Sequence, residues 1–170
     1  MFGLFKKKPA PEGPVEIVIS TKVEAPAQDF YALIDFADPR NAKRELGHEV
    51  RETGDGRFVL VMNFLPDCEF PIEVTAEDPP RHYAYRSVLP PGLGKLQRTH
   101  ERYDIEPVDD RTCEVTMRIE AEFQPGMTLS EFDREMTMMT LGSQNALAKL
   151  KAHAEGDIDS VREFEVAQAS

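Results

Sequence analysis

A carboxyl group and two phenols on two predicted neighbouring strands are the side chains best placed to do chemistry. Gln97, Thr99 and Glu101 share one face of a predicted strand, and Tyr83 and Tyr85 share one face of the strand before it. The opposite faces are rich in charge, which indicates that Glu101 and its neighbours point inward. Burying an unpaired carboxylate is costly, so Glu101 is expected to be paired, protonated or at a cavity mouth. It is therefore a candidate polar anchor for a ligand, or a catalytic proton donor acting with Tyr83 or Tyr85.

A purely structural role for Glu101 is the alternative. The residue could sit at the exposed end of its strand, or it could pair with an arginine. Ion pairs that only hold a fold together also perturb the pKa of carboxyl groups. The sequence leaves both interpretations open.

The strands that carry these groups belong to a long series with alternating apolar and polar side chains. The alternation is cleanest in residues 111–123, where one face is apolar and the other is charged. Gly54-Asp55-Gly56 is a strong hairpin signal between two of the strands. The predicted strands are residues 15–24, 48–53, 57–65, 69–77, 82–89, 96–106 and 111–123. Short turns between consecutive strands predict one antiparallel sheet of about seven strands.

A long helix near the end of the chain is the one large element that can cover this sheet. In residues 128–155 the apolar side chains recur at steps of three and four, which is typical of an amphipathic helix about 42 Å long. Two short helices are predicted between the first two strands, starting at Pro26 and Arg40. The predicted fold class is therefore α+β, a curved antiparallel sheet wrapped around a C-terminal helix in a helix-grip arrangement.

The middle of the long helix has the composition of a cavity wall. Gly142, Ser143 and Asn145 are poor helix formers that leave room beside Met139. Methionines adapt to variable ligands but are equally common in ordinary cores, so a pocket and plain packing are both compatible with the pattern. The predicted cavity residues are Phe70, Ile72, Tyr83, Tyr85, Thr99, Glu101, Tyr103, Met117, Ile119, Met136, Met139 and Ser143.

Composition limits the function further. A net charge of −11, with no basic patch, argues against a nucleic-acid partner. Cys68 and Cys113 lie far apart, which fits a reducing, cytoplasmic compartment. No apolar run approaches the roughly 20 residues of a membrane span. The four histidines have no ligand spacing and no nucleotide-binding loop is present, so neither a metal nor a cofactor is expected.

The two ends of the chain are predicted to lie outside a single domain of residues 15–155. Residues 1–14 are expected to form a flexible tail, and residues 156–170 an acidic one. The apolar and lysine side chains of residues 2–8 could make weak peripheral contact with an anionic membrane; an inert tail is the alternative.

Three segments carry a resemblance to a known superfamily. They are Val23-Glu24-Ala25-Pro26-Ala27 with the following Phe30–Asp35, Thr75–Arg81 with Tyr83–Arg86, and the segment 126–150. Together they resemble the START-related superfamily, also called SRPBCC, which includes polyketide cyclase/dehydrase-like and birch-pollen-allergen-like proteins. The resemblance implies the helix-grip fold over nearly all of residues 15–155. Members carry lipids, sterols, hormones or quinones, while others cyclise polyketides or bind chaperones.

The chain departs from several branches of that superfamily. The oxygenase branch needs two histidines and a carboxylate around iron, which cannot be assembled here. The tryptophan pair of chaperone activators is missing, since the chain has no Trp. No catalytic motif of polyketide aromatases can be carried over residue by residue.

Three functions are therefore predicted as alternatives. The first is binding of a hydrophobic small molecule of lipid, quinone, polyketide or aromatic type in an internal cavity. The second is polyketide cyclase or dehydratase-like catalysis with Glu101 and Tyr83 or Tyr85 as proton-transfer groups. The third is a protein-interaction module whose cavity has collapsed.

Overall fold

The computed structural model describes residues 8–168, which form seven strands and four helices. The strands and helices follow the predicted order, with one helix added at the end. They are β1 (Val15–Val23), α1 (Ala27–Ile34), α2 (Ala42–Glu45), β2 (Glu49–Gly54), β3 (Arg57–Val61), β4 (Glu69–Asp78), β5 (His82–Val88), β6 (Leu96–Asp109), β7 (Thr112–Phe123), α3 (Leu129–Ala154) and α4 (Ile158–Gln168).

All seven strands belong to one antiparallel sheet with the order β1-β7-β6-β5-β4-β3-β2. The first strand returns to pair with the last, from Val15 opposite Ala121 to Val23 opposite Cys113. Register shifts interrupt the β2–β3, β4–β5 and β6–β7 pairings. Such bulges bend strands and increase their twist, so the sheet curves around the helix. The predicted α+β helix-grip class is confirmed.

Helix α3 starts with a reciprocal capping box. The Thr128 hydroxyl accepts from the backbone N–H of Glu131 at 3.3 Å, and the Glu131 carboxylate accepts from the backbone N–H of Thr128 at 2.8 Å. The helix packs against β1, α1 and α4. Its position divides the covered face of the sheet into a closely packed half at β1 and β7 and a more open half at β3 to β6.

The segment expected to be an acidic tail instead continues into helix α4. Gly156, in the left-handed region at φ 92°, ends α3: its N–H donates to the His153 carbonyl at 3.0 Å, and the Asp157 N–H donates to the Ala152 carbonyl at 2.9 Å. The Asp157 carboxylate then accepts from the Ser160 N–H at 3.3 Å, as a cap for α4. Val161 is 3% exposed and anchors α4 on the body of the protein.

The start of the chain is also attached, as far as the structure describes it. The Lys8 carbonyl accepts from the Leu129 N–H at 2.8 Å, and the Ala10 N–H donates to the Met127 carbonyl at 3.0 Å. These bonds satisfy a free N–H at the start of α3, which explains why this part of the expected tail is ordered on the helix. Residues 2–7 lie outside the described residues, so their contact with a membrane stays a prediction. Within residues 8–168, none of the helices has the length and apolarity to cross a membrane.

Candidate functional site

A cavity of about 310 Å³ lies between β3 to β6 and all four helices. Its walls are mostly apolar, and polar side chains enter at a few points. The apolar lining consists of Leu33, Ile34, Phe36, Ala42, Leu46, Leu60, Phe70, Ile72, Leu89, Leu96, Met139, Ala146, Leu150 and Val161. This size lies at the lower end of the range for small-molecule sites, which are likewise mainly apolar with a few placed polar groups.

Seven of the twelve predicted cavity residues line this space. They are Phe70, Ile72, Tyr85, Thr99, Glu101, Tyr103 and Met139. The other five are elsewhere: Tyr83, Met117 and Ile119 are buried in the core, Ser143 is buried with its hydroxyl on the Met139 carbonyl at 2.7 Å, and Met136 is half-buried. The cavity is lined by β3 to β6, whereas Met117 and Ile119 belong to β7, in the closely packed half of the sheet.

One predicted inward position is reversed by a bulge. The alternation of β6 suggested that Gln97 points inward with Thr99 and Glu101. The register with β7 shifts between Leu96 and Arg98, and as a result Leu96 lines the cavity while Gln97 is exposed. A single extra residue thus exchanges an amide for an apolar side chain in the wall.

Glu101 is held by two phenols. Tyr85 donates to Glu101 Oε2 at 2.6 Å, and Tyr103 donates to the same oxygen at 3.3 Å. Burial raises the pKa of Glu101, while the two phenols and the charge of Lys43 oppose that rise. Burial, and then the charge of Glu101, raise the pKa of Tyr85 and of Tyr103 well above the usual value for tyrosine. Glu101, Tyr85 and Tyr103 are called the carboxyl–phenol cluster below.

This geometry differs from both structural alternatives for Glu101. The residue lies in the middle of β6, which continues to Asp109, and no arginine of the described residues forms an ion pair with it. Tyr83, the other phenol considered, points away from the cavity. Its hydroxyl accepts from the Phe36 N–H at 3.1 Å within the core. The partner on β5 is therefore Tyr85, and Tyr103 is a second one from β6 itself.

A second polar group joins α4 to the rest of the cavity wall. Glu165 accepts from Lys149 Nζ at 2.8 Å through one oxygen and bonds His48 Nε2 at 3.0 Å through the other. His48 Nδ1 accepts from the Asn63 N–H at 3.2 Å, so the proton of the neutral ring is on Nε2 and points at Glu165. These three residues, Glu165, Lys149 and His48, are called the α4 clasp.

The charges of the α4 clasp are mutually adjusted. Burial raises the pKa of Glu165, but Lys149, Lys43 and His48 outweigh it, so the pKa is below its ordinary value. Burial, followed by the charge of Lys43, lowers the pKa of His48. The clasp therefore consists of a carboxylate, an ammonium and a neutral imidazole, and it fixes α4 over the cavity.

Two further cavity nitrogens come from residues that sequence reasoning missed. Lys43 on α2 and His153 at the end of α3 both line the cavity. The signal for His153 was its spacing from Met139 and Ala146, which follows one face of the helix. Lys43 lies in a short polar helix with no periodicity, so nothing in the sequence marked its direction. Lys149 and Glu165 were missed because α4 was not expected. Within the described residues, no group of three His, Cys, Asp or Glu side chains is arranged to hold a metal ion.

The sequence profile of the family described as polyketide cyclase / dehydrase and lipid transport matches residues 14–155. The chain belongs to this family. The resemblance to the START-related, SRPBCC superfamily is confirmed with it. Helix α4, which closes the cavity with Val161 and Glu165, lies beyond the matched segment.

Solved structures with the same fold include proteins with different names and activities. Ara h 8.0201 is 14% identical, with 84% of this chain and 98% of that chain covered and a TM-score of 0.62. The Zhui aromatase/cyclase from Streptomyces sp. R1128 is 16% identical, with 88% and 96% covered and a TM-score of 0.60. Norcoclaurine synthase from Thalictrum flavum, solved with dopamine and hydroxybenzaldehyde, is 14% identical, with 83% and 86% covered and a TM-score of 0.58. At these identities the likeness concerns the fold alone, and the comparison with curated proteins found no match.

Proposed function

We propose that this protein binds a hydrophobic small molecule, of lipid, quinone, polyketide or aromatic type, in the cavity under α3 and α4. The observation that carries the proposal is the apolar cavity of about 310 Å³. Protein interiors normally have few voids larger than a water molecule, and an unfilled apolar void lowers stability. A void of this size in a family that includes lipid transport proteins supports ligand binding over a collapsed interaction module.

The size of the cavity suggests the size of the ligand. A cavity of about 150 Å³ lined by apolar side chains is large enough for benzene. The space here is about twice that, which suits roughly two rings or an acyl chain of similar volume. The few polar groups in the wall would orient such a molecule. We also propose a cytoplasmic location, which the free thiols Cys68 and Cys113 support.

A cyclase or dehydratase-like reaction is the second candidate function. The observation that favours it is the bond of 2.6 Å between Tyr85 and Glu101, together with the burial that raises the pKa of Glu101. A carboxyl group whose pKa is raised is a better candidate to donate its proton to a substrate carbonyl or a leaving hydroxyl. In this scheme Glu101 is the proton donor, and Tyr85 and Tyr103 stabilise its carboxylate after the transfer.

The proposal of ligand binding is tested by native mass spectrometry of the purified protein, followed by denaturing extraction. Ala146→Phe places a ring in the cavity, and Ala148→Phe places the same ring on the exposed side of α3, two residues away. We expect a co-purified compound in the wild type and in Ala148→Phe but not in Ala146→Phe. The same compound in all three proteins would place the binding site elsewhere and refute the proposal.

The two candidate functions are separated by Glu101→Gln. This change keeps the shape of the side chain and removes its acid. If the protein is a carrier, the variant binds its ligand with an affinity within a few-fold of the wild type. If the protein is an enzyme, the variant still binds substrate but its turnover falls by roughly 10²- to 10⁴-fold, the usual contribution of a general acid.

A further inference from the structure

The cavity wall contains two side-chain nitrogens that form no hydrogen bond with any of the described residues. Lys43 Nζ carries up to three N–H donors, and among the described residues it makes neither a hydrogen bond nor an ion pair. His153 is 8% exposed, and its Nδ1 is buried without a hydrogen-bond partner in the described part of the chain. A buried polar atom nearly always has a partner, because an unsatisfied one costs free energy, and His153 Nδ1 is such an atom; Lys43 is half-buried at the cavity wall. A ligand that supplies the partner would remove this cost.

Both side chains are connected with the short helix α2, one as part of it and the other by a hydrogen bond. Lys43 is part of α2, and the ring of His153 is bonded through Nε2 to Oε2 of Glu45, also on α2, at 2.5 Å. Helix α2 is itself fixed by Arg44, which donates to the carbonyls of Val50 at 2.8 Å and Phe36 at 3.0 Å. Helix α2 therefore places the backbone of Lys43 and the ring of His153 at the same part of the cavity wall.

The carboxylates of the cavity are already used by other groups. Glu165 is shared by Lys149 and His48, and Glu101 is held by Tyr85 and Tyr103. Burial, and then the nearby charge of Lys149, lower the pKa of Lys43, and they outweigh the opposing charges of Glu165 and Glu101, neither of which forms an ion pair with it. A negative group brought in by a ligand would be the missing partner.

We propose that Lys43 and His153 together bind the carboxylate of an apolar acid whose body fills the rest of the cavity. This proposal rests on the proposed function and names the ligand class. Lys43 Nζ donates to one carboxylate oxygen. A proton taken up with the acid lies in the hydrogen bond between the second oxygen and His153 Nδ1, and Glu45 Oε2 is hydrogen-bonded to Nε2 on the far side of the ring. The other titratable groups that line or border this part of the cavity are Lys149 from α3, Glu165 from α4, Glu101 from β6 and His48 before β2.

Calorimetric titration with two probes of similar shape tests whether Lys43 and His153 bind a ligand carboxylate. The probes are 2-naphthoate and the neutral 2-naphthylmethanol, each measured in two buffers that differ in ionisation enthalpy. We expect the wild type to bind the acid about ten- to a hundred-fold more tightly than the alcohol, the usual gain from charge-assisted hydrogen bonds. Binding of the acid, unlike the alcohol, is expected to take up a proton, which appears as a buffer-dependent enthalpy.

Variants assign the preference to the two nitrogens. Lys43→Met and His153→Phe should each lose most of the preference for the acid while affinity for the alcohol stays within about two-fold, and Lys43→Arg should recover part of it. Lys22→Met removes one lysine charge from the exposed face of β1 and should behave like the wild type.

Two results would overturn the assignment. Equal affinity of the wild type for acid and alcohol would exclude an anion site, and so would an acid preference that Lys43→Met retains in full. In both cases the alcohol still binds, so the proposed function survives. If neither probe binds the wild type, the proposed function is itself refuted for ligands of this size, and the assignment is refuted with it.

Discussion

The half of the sheet around β1 and β7 and the half formed by β3 to β6 have similar apolar side chains, but only the first half is closely packed under the helices. On the side of β1 and β7, Val23, Val115 and Cys113 are fully buried and pack against one another and the helices. On the side of β3 to β6, comparable apolar side chains surround an open space of about 310 Å³. The difference shows that the long helix serves two purposes: it closes the core along β1 and forms the roof of a cavity elsewhere.

The strongest way to test this division is to truncate one leucine of α3 on each side. Leu147 is 2% exposed in the core, whereas Leu150 lines the cavity. Leu147→Ala should lower the free energy of unfolding by about 3 kcal/mol, because it leaves a new void in close packing. Leu150→Ala should cost only about 1 kcal/mol, because its side chain already borders empty space. Urea denaturation measures both; equal losses would contradict the division.

The clasp on α4 gives the next largest expected effect. Glu165→Gln removes the charge that holds Lys149 and His48, and should lower the free energy of unfolding by about 2 kcal/mol. Because the pKa of Glu165 is lowered in the folded state, its contribution is present above its unfolded pKa and is lost as the pH falls through the folded value.

Amide hydrogen exchange locates this effect in the molecule. In Glu165→Gln the amides of α4 should exchange faster, while those of β7 change little. Glu163→Gln, on the exposed side of the same helix, is the matched control. Unchanged protection of α4 in Glu165→Gln would mean that Val161 alone holds the helix.

The carboxyl–phenol cluster is expected to have a smaller effect on stability, with a distinctive pH dependence. The pKa of Glu101 is raised on folding, so its contribution to stability is fully present below its unfolded pKa and is lost as the pH rises through the folded value. Glu101→Gln should therefore gain stability relative to the wild type as the pH is raised from 3 to 8, because only the wild type loses this contribution. Thermal unfolding at both pH values measures this. A pH-independent difference would mean that Glu101 titrates as an ordinary carboxyl group.

Much of the fold was predictable from local patterns. Alternation in the strands and the three-and-four spacing in residues 128–155 were enough to predict seven strands, a covering helix and the inward direction of Glu101. The extra residue in β6 was not predictable, because a bulge leaves no mark in a pattern with period two. Gly156-Asp157 is a sequence signal for helix α4, because the glycine ends one helix and the aspartate can cap the next. The stability of α4, however, comes from contacts with distant residues such as His48.

The site was less predictable than the fold for a physical reason. Glu101 and Tyr85 lie on paired strands, and their proximity follows from the register. Lys43, His153 and Glu165 come from three helices, and only the tertiary packing brings them to one cavity. The roles of the predicted site residues stay predictions until ligands are measured.

The most direct measurement is a ¹H–¹⁵N NMR titration of the wild type, Ala146→Phe and Ala148→Phe with 2-naphthylmethanol. We expect shifts in the wild type and in Ala148→Phe at amides around the cavity, such as those of Ile72, Thr99 and Leu150, with β1 and β7 unaffected. Ala146→Phe should show no such shifts, because its ring occupies the space. Shifts of equal size in Ala146→Phe, or shifts confined to β1 and β7, would contradict binding in the cavity.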